Sequence, residues 1–161
     1  MRESPRNGRK NMPHTYSKLL THVVWSTKDR LATIAPEIQS DLHAYLGGIV
    51  REEGGTAVAI GGTADHVHLL IEVPADRSVA DCVRVVKTNS SRWVHEKWPS
   101  RRAFSWQAGY GAFAVSASNA TRVIEYIRGQ EAHHRRINYH DEFVALLDKH
   151  GIAYDEKYLW T

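Results

Sequence analysis

Along this chain the spacing of apolar positions switches repeatedly between strand-like and helix-like, and the switches mark out its elements. Residues 16–26 (Tyr-Ser-Lys-Leu-Leu-Thr-His-Val-Val-Trp-Ser) are β-rich and mostly apolar, which predicts a first and central strand. A polar loop follows over 27–35. Pro36 opens a helix, a position where its missing N–H does no harm. Ile38, Leu42, Tyr45, Leu46 and Ile49 then recur at helical spacing, and Gly54-Gly55 closes the helix. Residues 56–60 predict a second strand. Gly61-Gly62 turns the chain into a third, which runs from Ala64-Asp65-His66-Val67-His68 through Leu69, Leu70 and Ile71 to Val73. Ser78 caps a long helix that Pro99 stops, with Val79, Val83, Val86, Ser90, Trp93 and Lys97 as its buried stripe. Residues 104–115 alternate aromatics and glycines and read as a last strand, bent at Gly109 or Gly111. A helix over about 118–136 comes next, with Ala120, Val123, Ile124 and Ile127 as its apolar stripe. The C-terminal part, about 140–161, holds a short amphipathic helix (Phe143, Leu146, Leu147) and a tail carrying Tyr154, Tyr158 and Trp160 that is expected to pack on the body.

The first six elements run β-α-β-β-α-β. That order predicts an α+β, ferredoxin-like or RRM-like fold: a four-stranded antiparallel sheet with two helices on one face. The helix at 118–136 and the C-terminal helix and tail are additions to that unit. The histidine strand is then central or near-central. Residues 14–161 read as one domain, and 1–13, with Arg2, Arg6, Arg9 and Lys10, as a disordered basic arm.

The chain has 161 residues, room for one domain with a real core. Its net charge of +3, with ten histidines in reserve, suits a polyanion partner without requiring one. The single cysteine, Cys82, excludes an internal disulfide and fits a reducing cytoplasm. No apolar run approaches the roughly 18–20 residues of a membrane span, and the N-terminus lacks the apolar core of a signal peptide.

Two constellations carry candidate chemistry. Side chains alternate across a strand, so His66 and His68 share a face with Val67 on the other. Two imidazoles side by side on a rigid sheet make a divalent-metal site or a pair of solvated histidines. On the later helix Tyr126, Gln130 and His133 follow at i, i+4 and i+7 and share one face, roughly 100° from the apolar stripe. A tyrosine there looks into a groove, or is a boundary residue with its hydroxyl in water. The long helix presents Arg84, Lys87, Thr88, Ser91 and Arg92 away from its stripe, a face that is solvated or laid along phosphates.

Together these residues resemble the single-tyrosine HUH transposases of small bacterial insertion sequences and their REP-associated relatives, HUH standing for His-hydrophobic-His. The likeness rests on His66-Val67-His68 within Ala64–Leu70, Trp25-Ser26-Thr27-Lys28 after the first strand, and Gly109-Tyr110-Gly111-Ala112-Phe113 before the helix. Tyr126-Ile127-x-x-Gln130 and Gln130-Glu131-x-His133-His134 complete it. It spans about residues 15–136.

The resemblance implies a transposase that cleaves and rejoins single-stranded DNA at hairpin-bearing element ends through a 5′-phosphotyrosine. Tyr126 is then the nucleophile, and His66, His68 and Gln130 hold Mg²⁺ or Mn²⁺. It also implies a homodimer, with no nucleotide cofactor and no membrane. Lys28, Arg84, Lys87, Arg92, His133 and Arg135 are the expected DNA contacts. Three alternatives stand beside this reading: an HUH nickase of replication-initiator or relaxase type, a non-catalytic RRM-like binder of single-stranded nucleic acid, and a phosphoesterase with a His-x-His site and no covalent intermediate. An RRM-like binder needs exposed aromatics on its central strands, and the histidine strand has none.

Overall fold

The computed structural model describes residues 15–160; the arm read at 1–13 lies outside them. The chain forms β1 (Leu20–Ser26), α1 (Pro36–Glu52), β2 (Thr56–Gly62), β3 (His66–Glu72), α2 (Val79–Lys97), β4 (Gly111–Val115), α3 (Ala120–Arg128), α4 (Gln130–His133) and α5 (Tyr139–Lys149). The sheet order is β2-β3-β1-β4, with every neighbouring pair antiparallel. The fold is the expected α+β arrangement, and β3 sits inside the sheet.

Strand alternation sorts the sheet into two faces. Val23, Trp25, Val67, Leu69 and Ile71 point to α1 and α2 and meet Ile38, Leu42, Leu46, Val83, Val86 and Val94 in the main core. The opposite face carries His22, Val24, His66, His68 and Leu70. There Val24 packs with Phe113, Tyr139, Phe143 and Leu147, and Leu70 packs with Ala59 and Ile127. The helices added after β4 cover this second face, the one an RRM-like binder would leave open. The two faces make a hydrophobic side and a polar site out of one pair of strands.

Local sequence explains the helix starts. Ser78 Oγ accepts the Asp81 N–H at 3.0 Å and opens α2, and Asn138 Oδ1 accepts the Asp141 N–H at 2.8 Å and opens α5. α1 begins on Pro36 as expected.

Two elements differ from expectation. The last strand is only Gly111–Val115. Upstream, Gln107 Oε1 accepts the Ser26 N–H at 2.7 Å, so a side chain takes the place of a strand partner. Lys87 Nζ donates to the carbonyls of Ala108 and Gly109 at 3.1 and 2.8 Å and holds that segment as a loop. Trp106 keeps one isolated bridge to Thr27. The helix expected over 118–136 begins as a 3-10 turn (Ala117–Asn119) and is broken at Gly129 into α3 and α4. Gly129 lacks the side chain that would favour a continuous helix.

One glycine is required by packing. A Cβ on Gly61 would lie 2.1 Å from the carbonyl oxygen of Ile127, so β2 and the end of α3 approach backbone to backbone there. That contact seats the turn carrying Tyr126 and Gln130 over the sheet. In the tail, Tyr154 and Tyr158 are exposed, while Leu159 and Trp160 pack on the α5 cluster. Among the described residues no helix is long and apolar enough to cross a membrane.

Candidate active site

β3 presents His66 and His68 on the face that α3–α5 cover, and both are fully buried. α3 and α4 bring Tyr126 and Gln130 to the same place from above. His66 Nε2 lies 2.9 Å from Gln130 Oε1, and the rings of His68 and Tyr126 meet edge to face at 5.6 Å. The four residues predicted on separate elements therefore converge.

At their centre stands a group that sequence reasoning missed, the Glu142 carboxylate of α5. Its Oε1 lies 2.8 Å from His68 Nε2, 3.0 Å from His134 Nε2 and 3.5 Å from His66 Nε2. Its Oε2 accepts from Gln130 Nε2 at 3.0 Å and from the Tyr126 hydroxyl, and lies 3.2 Å from His133 Nε2. Burial alone would raise this carboxyl, but the hydrogen bonds from His134 and His68 outweigh it and hold the group well below the usual carboxylate range. A signal for Glu142 does exist in the sequence. Tyr139, Glu142, Phe143, Leu146 and Leu147 fall at i, i+3, i+4, i+7 and i+8, so a carboxylate interrupts an apolar stripe.

The same carboxylate acts on the tyrosine. Burial, and then the negative charge of Glu142, push the Tyr126 hydroxyl well above its ordinary range, so it stays protonated and donates its hydrogen to Oε2. His68 is held neutral: burial lowers it to about 4, with the Glu142 hydrogen bond acting the other way. Behind it His22, lowered by burial to about 3, places Nε2 2.8 Å from His68 Nδ1. His66 is fixed by Asp65, whose Oδ1 lies 2.7 Å from Nδ1 and also accepts from Thr63 Oγ1 at 3.0 Å. Tyr139 stacks on the His66 ring at 4.5 Å, and its hydroxyl is buried without a hydrogen-bond partner.

These contacts assign protons by elimination. Asp65 only accepts, so His66 Nδ1 is the donor. Glu142 only accepts, so the Gln130 amide turns its NH₂ to the carboxylate and its oxygen to His66. His66 Nε2 then faces the Gln130 carbonyl oxygen across 2.9 Å in the buried centre of the site. His66, His68, His134 and Glu142 each offer one donor atom, all within 4.8 Å of one another. For ions bound about 2.1 Å from each ligand, neighbouring donors stand about 3 Å apart. The donor set fits a divalent cation in composition and in spacing.

The expected DNA contacts scatter. Lys28 is exposed in the 3-10 turn Lys28–Arg30. Arg84 and Arg92 are exposed on α2, beside Asp81 and Asn89. Lys87 is committed to the loop at 108–109 and lowered to about 8 by burial, so it serves the fold. Near Tyr126, His133 and Arg135 line a cleft of about 360 Å³ with Ala132 and Arg136.

The family model described as "Transposase IS200 like" matches residues 15–130. The chain belongs to the IS200-like transposase family. Among its relatives, the ISDra2 transposase TnpA of Deinococcus radiodurans is 25% identical over 114 residues, covering 68% of this chain and 81% of that protein. The transposase for insertion sequence element IS200 of Salmonella typhimurium is 25% identical over 126 residues, covering 75% and 82%. A crystal structure of a Deinococcus radiodurans R1 protein described as a transposase matches with TM-score 0.60 and 26% identity, over 76% of this chain and 95% of that one. A REP-associated tyrosine transposase bound to a REP hairpin matches in fold, with TM-score 0.54 and 15% identity over 79% and 70%. An IS200-like transposase is a DNA-cleaving enzyme of transposition and recombination. The family match includes Tyr126 and Gln130 and stops there, so His134 and the whole of α5, Glu142 included, lie beyond it.

Proposed function

We propose that this transposase cleaves and rejoins single-stranded DNA through a covalent 5′-phosphotyrosine on Tyr126. The observation that carries the reading is the convergence of Tyr126 and Gln130 with the buried His66 and His68 in a chain of this family. In the proposed step the Tyr126 oxygen bonds to the scissile phosphorus and the bond from phosphorus to the 3′-oxygen breaks. The tyrosine's proton is taken up on the side of Glu142, and the departing 3′-oxygen takes one proton from solvent and leaves as a hydroxyl, so no net proton is consumed. Rejoining reverses the order: a 3′-hydroxyl attacks the phosphotyrosine and frees Tyr126, so bond energy is conserved and no nucleotide cofactor is needed.

The chain's own groups supply orientation. Tyr139 stacks beside His66, Asp65 and His22 hold the two imidazoles, and Gln130 reaches from α4. His66, His68 and Gln130 would hold Mg²⁺ or Mn²⁺, which when bound adds positive charge to polarise the phosphate. The exposed Lys28, Arg84, Arg92 and Arg135 are proposed contacts for the DNA backbone. A hairpin at the element end is the proposed substrate feature, supported by the hairpin in the REP-associated structure of like fold. A homodimer is proposed from the resemblance, and a monomer by light scattering at tens of micromolar would overturn it.

The function itself is tested by incubating the protein with end-labelled single-stranded DNA carrying the parent element's ends and Mg²⁺ or Mn²⁺. A band of protein–DNA adduct on a denaturing gel is expected. Cleavage without any adduct would replace this mechanism with direct hydrolysis.

A further inference from the structure

We propose that Glu142 is itself a ligand of the metal, joining His66 and His68 with His134 beside it, and that this carboxylate makes the site select Mn²⁺ over Mg²⁺. The inference rests on the metal-dependent reading above and adds a residue from α5, outside the family match at 15–130.

Three observations carry it. First, Glu142 Oε1 faces three imidazole nitrogens at once, at 2.8, 3.0 and 3.5 Å. The donor atoms of His66, His68, His134 and Glu142 all lie within 4.8 Å of one another, close enough for one ion to be shared among them. Second, His66 Nε2 and Gln130 Oε1, 2.9 Å apart and both buried, point into the same space beside Glu142 Oε1, which lies 3.5 Å from that nitrogen. Third, Glu142 is a buried carboxylate in an otherwise apolar stripe, and the groups that answer its charge are those of the cluster: His68, His134, Gln130 and Tyr126. Tyr139, Phe143 and Leu147 pack the stripe normally, and Glu142 alone departs from it.

The donor set decides the ion. Mg²⁺ takes oxygen ligands and retains several waters; carboxylate and water suit Mg²⁺ and Mn²⁺ alike, while affinity for ring nitrogens belongs to the transition-metal series that Mn²⁺ opens and Mg²⁺ stands outside. Imidazoles with one carboxylate therefore favour Mn²⁺. For the ring nitrogens to face an ion, the proton on His68 Nε2 must move to Nδ1. His22 Nε2, 2.8 Å away, is placed to accept it. The second oxygen of Glu142 holds the Tyr126 hydroxyl, so one side chain couples ion binding to placement of the nucleophile.

The test is calorimetry on the full chain after chelator treatment, with MnCl₂ and MgCl₂ as separate titrants. The wild type is expected to bind Mn²⁺ at least tenfold more tightly than Mg²⁺. Glu142→Gln, which keeps the shape and removes the charge, is expected to weaken Mn²⁺ by about 10–100-fold and to narrow the difference between the ions. Glu142→Asp keeps the charge and is expected to recover part of the Mn²⁺ affinity, with circular dichroism melts reporting folding of both variants. Unchanged or tighter Mn²⁺ binding by Glu142→Gln overturns the inference, since the carboxylate then only fills the site. Loss in both variants without recovery by Glu142→Asp, with melts shifted alike, also overturns it in favour of a structural role. A wild type that takes up neither ion fails the metal-dependent reading itself.

Discussion

At the scale of single residues, the site is a set of hydrogen bonds that assign one job to each polar atom. Tyr126 donates to Glu142, and removing that one oxygen separates its two possible roles. Tyr126→Phe is expected to abolish the covalent adduct while DNA binding and Mn²⁺ affinity persist. Its stability cost is one hydrogen bond to a charged group, about 1.5–3 kcal/mol, read as a lower urea midpoint. A persisting adduct would move the nucleophile elsewhere, and peptide mapping would locate it. Tyr139 is the nearest alternative, because its ring stacks on His66 and its hydroxyl has no partner. The pair of histidines, the tyrosine and the glutamine were legible in the sequence because two periodicities, two along β3 and near four along α3 and α4, fix which side chains share a face. Glu142 and His22 were not. Each meets the site through tertiary packing, and no local period links residue 142 to residue 68.

At the scale of elements, the register of β2 against α3 determines whether that constellation forms. Gly61 is where the strand touches the carbonyl of Ile127, one residue past Tyr126 and three before Gln130. Gly61→Ala places a methyl 2.1 Å from that oxygen. Backbone on both sides leaves no flexible atom to yield, so the helix must lift. The expected cost is about 1–3 kcal/mol in urea unfolding, with adduct formation falling more than stability does because Tyr126 and Gln130 move together. A variant of wild-type stability and wild-type cleavage would show that α3 tolerates displacement. Element order and type were readable from pattern, and two boundaries were not. Residues 104–110 have the alternation of a strand, but they meet the first strand's end only through Ser105 and Gln107, the Gln107 side chain takes the Ser26 N–H, and Lys87 takes the carbonyls of Ala108 and Gly109, an outcome that no β-propensity encodes. The break at Gly129 was foreshadowed by the low helix propensity of glycine.

At the scale of the whole molecule, burying imidazoles to build the site ties its stability to pH. His22 and His68 are lowered by burial to about 3 and about 4, and burial lowers His43 as well. Facing His22 are His68, Glu142, His150 and Lys149, of which Glu142 alone favours its proton. In the unfolded chain these histidines titrate near 6.5. Between that value and about 4 the unfolded chain therefore binds protons that the fold excludes, and stability rises with pH across the window and is lost as pH falls. Above about pH 7 the same groups are neutral in both states and contribute no slope. Glu142 acts in the same direction lower down. Its folded carboxyl lies below its unfolded value, so its contribution is present above about 4.5 and is lost as acid is added beyond it. The expected result is a urea midpoint that is level from pH 8 to 7 and falls steadily from 6.5 to 4.5, by on the order of 1 kcal/mol per pH unit per buried histidine. Added Mn²⁺ should hold the midpoint up at pH 7, where the ligands are deprotonated, and lose that effect near pH 5, where protons compete for the same nitrogens. A midpoint that stays level down to pH 5 without metal would mean that these imidazoles are not held neutral by the fold, and the proton assignments around His68 would have to be reversed.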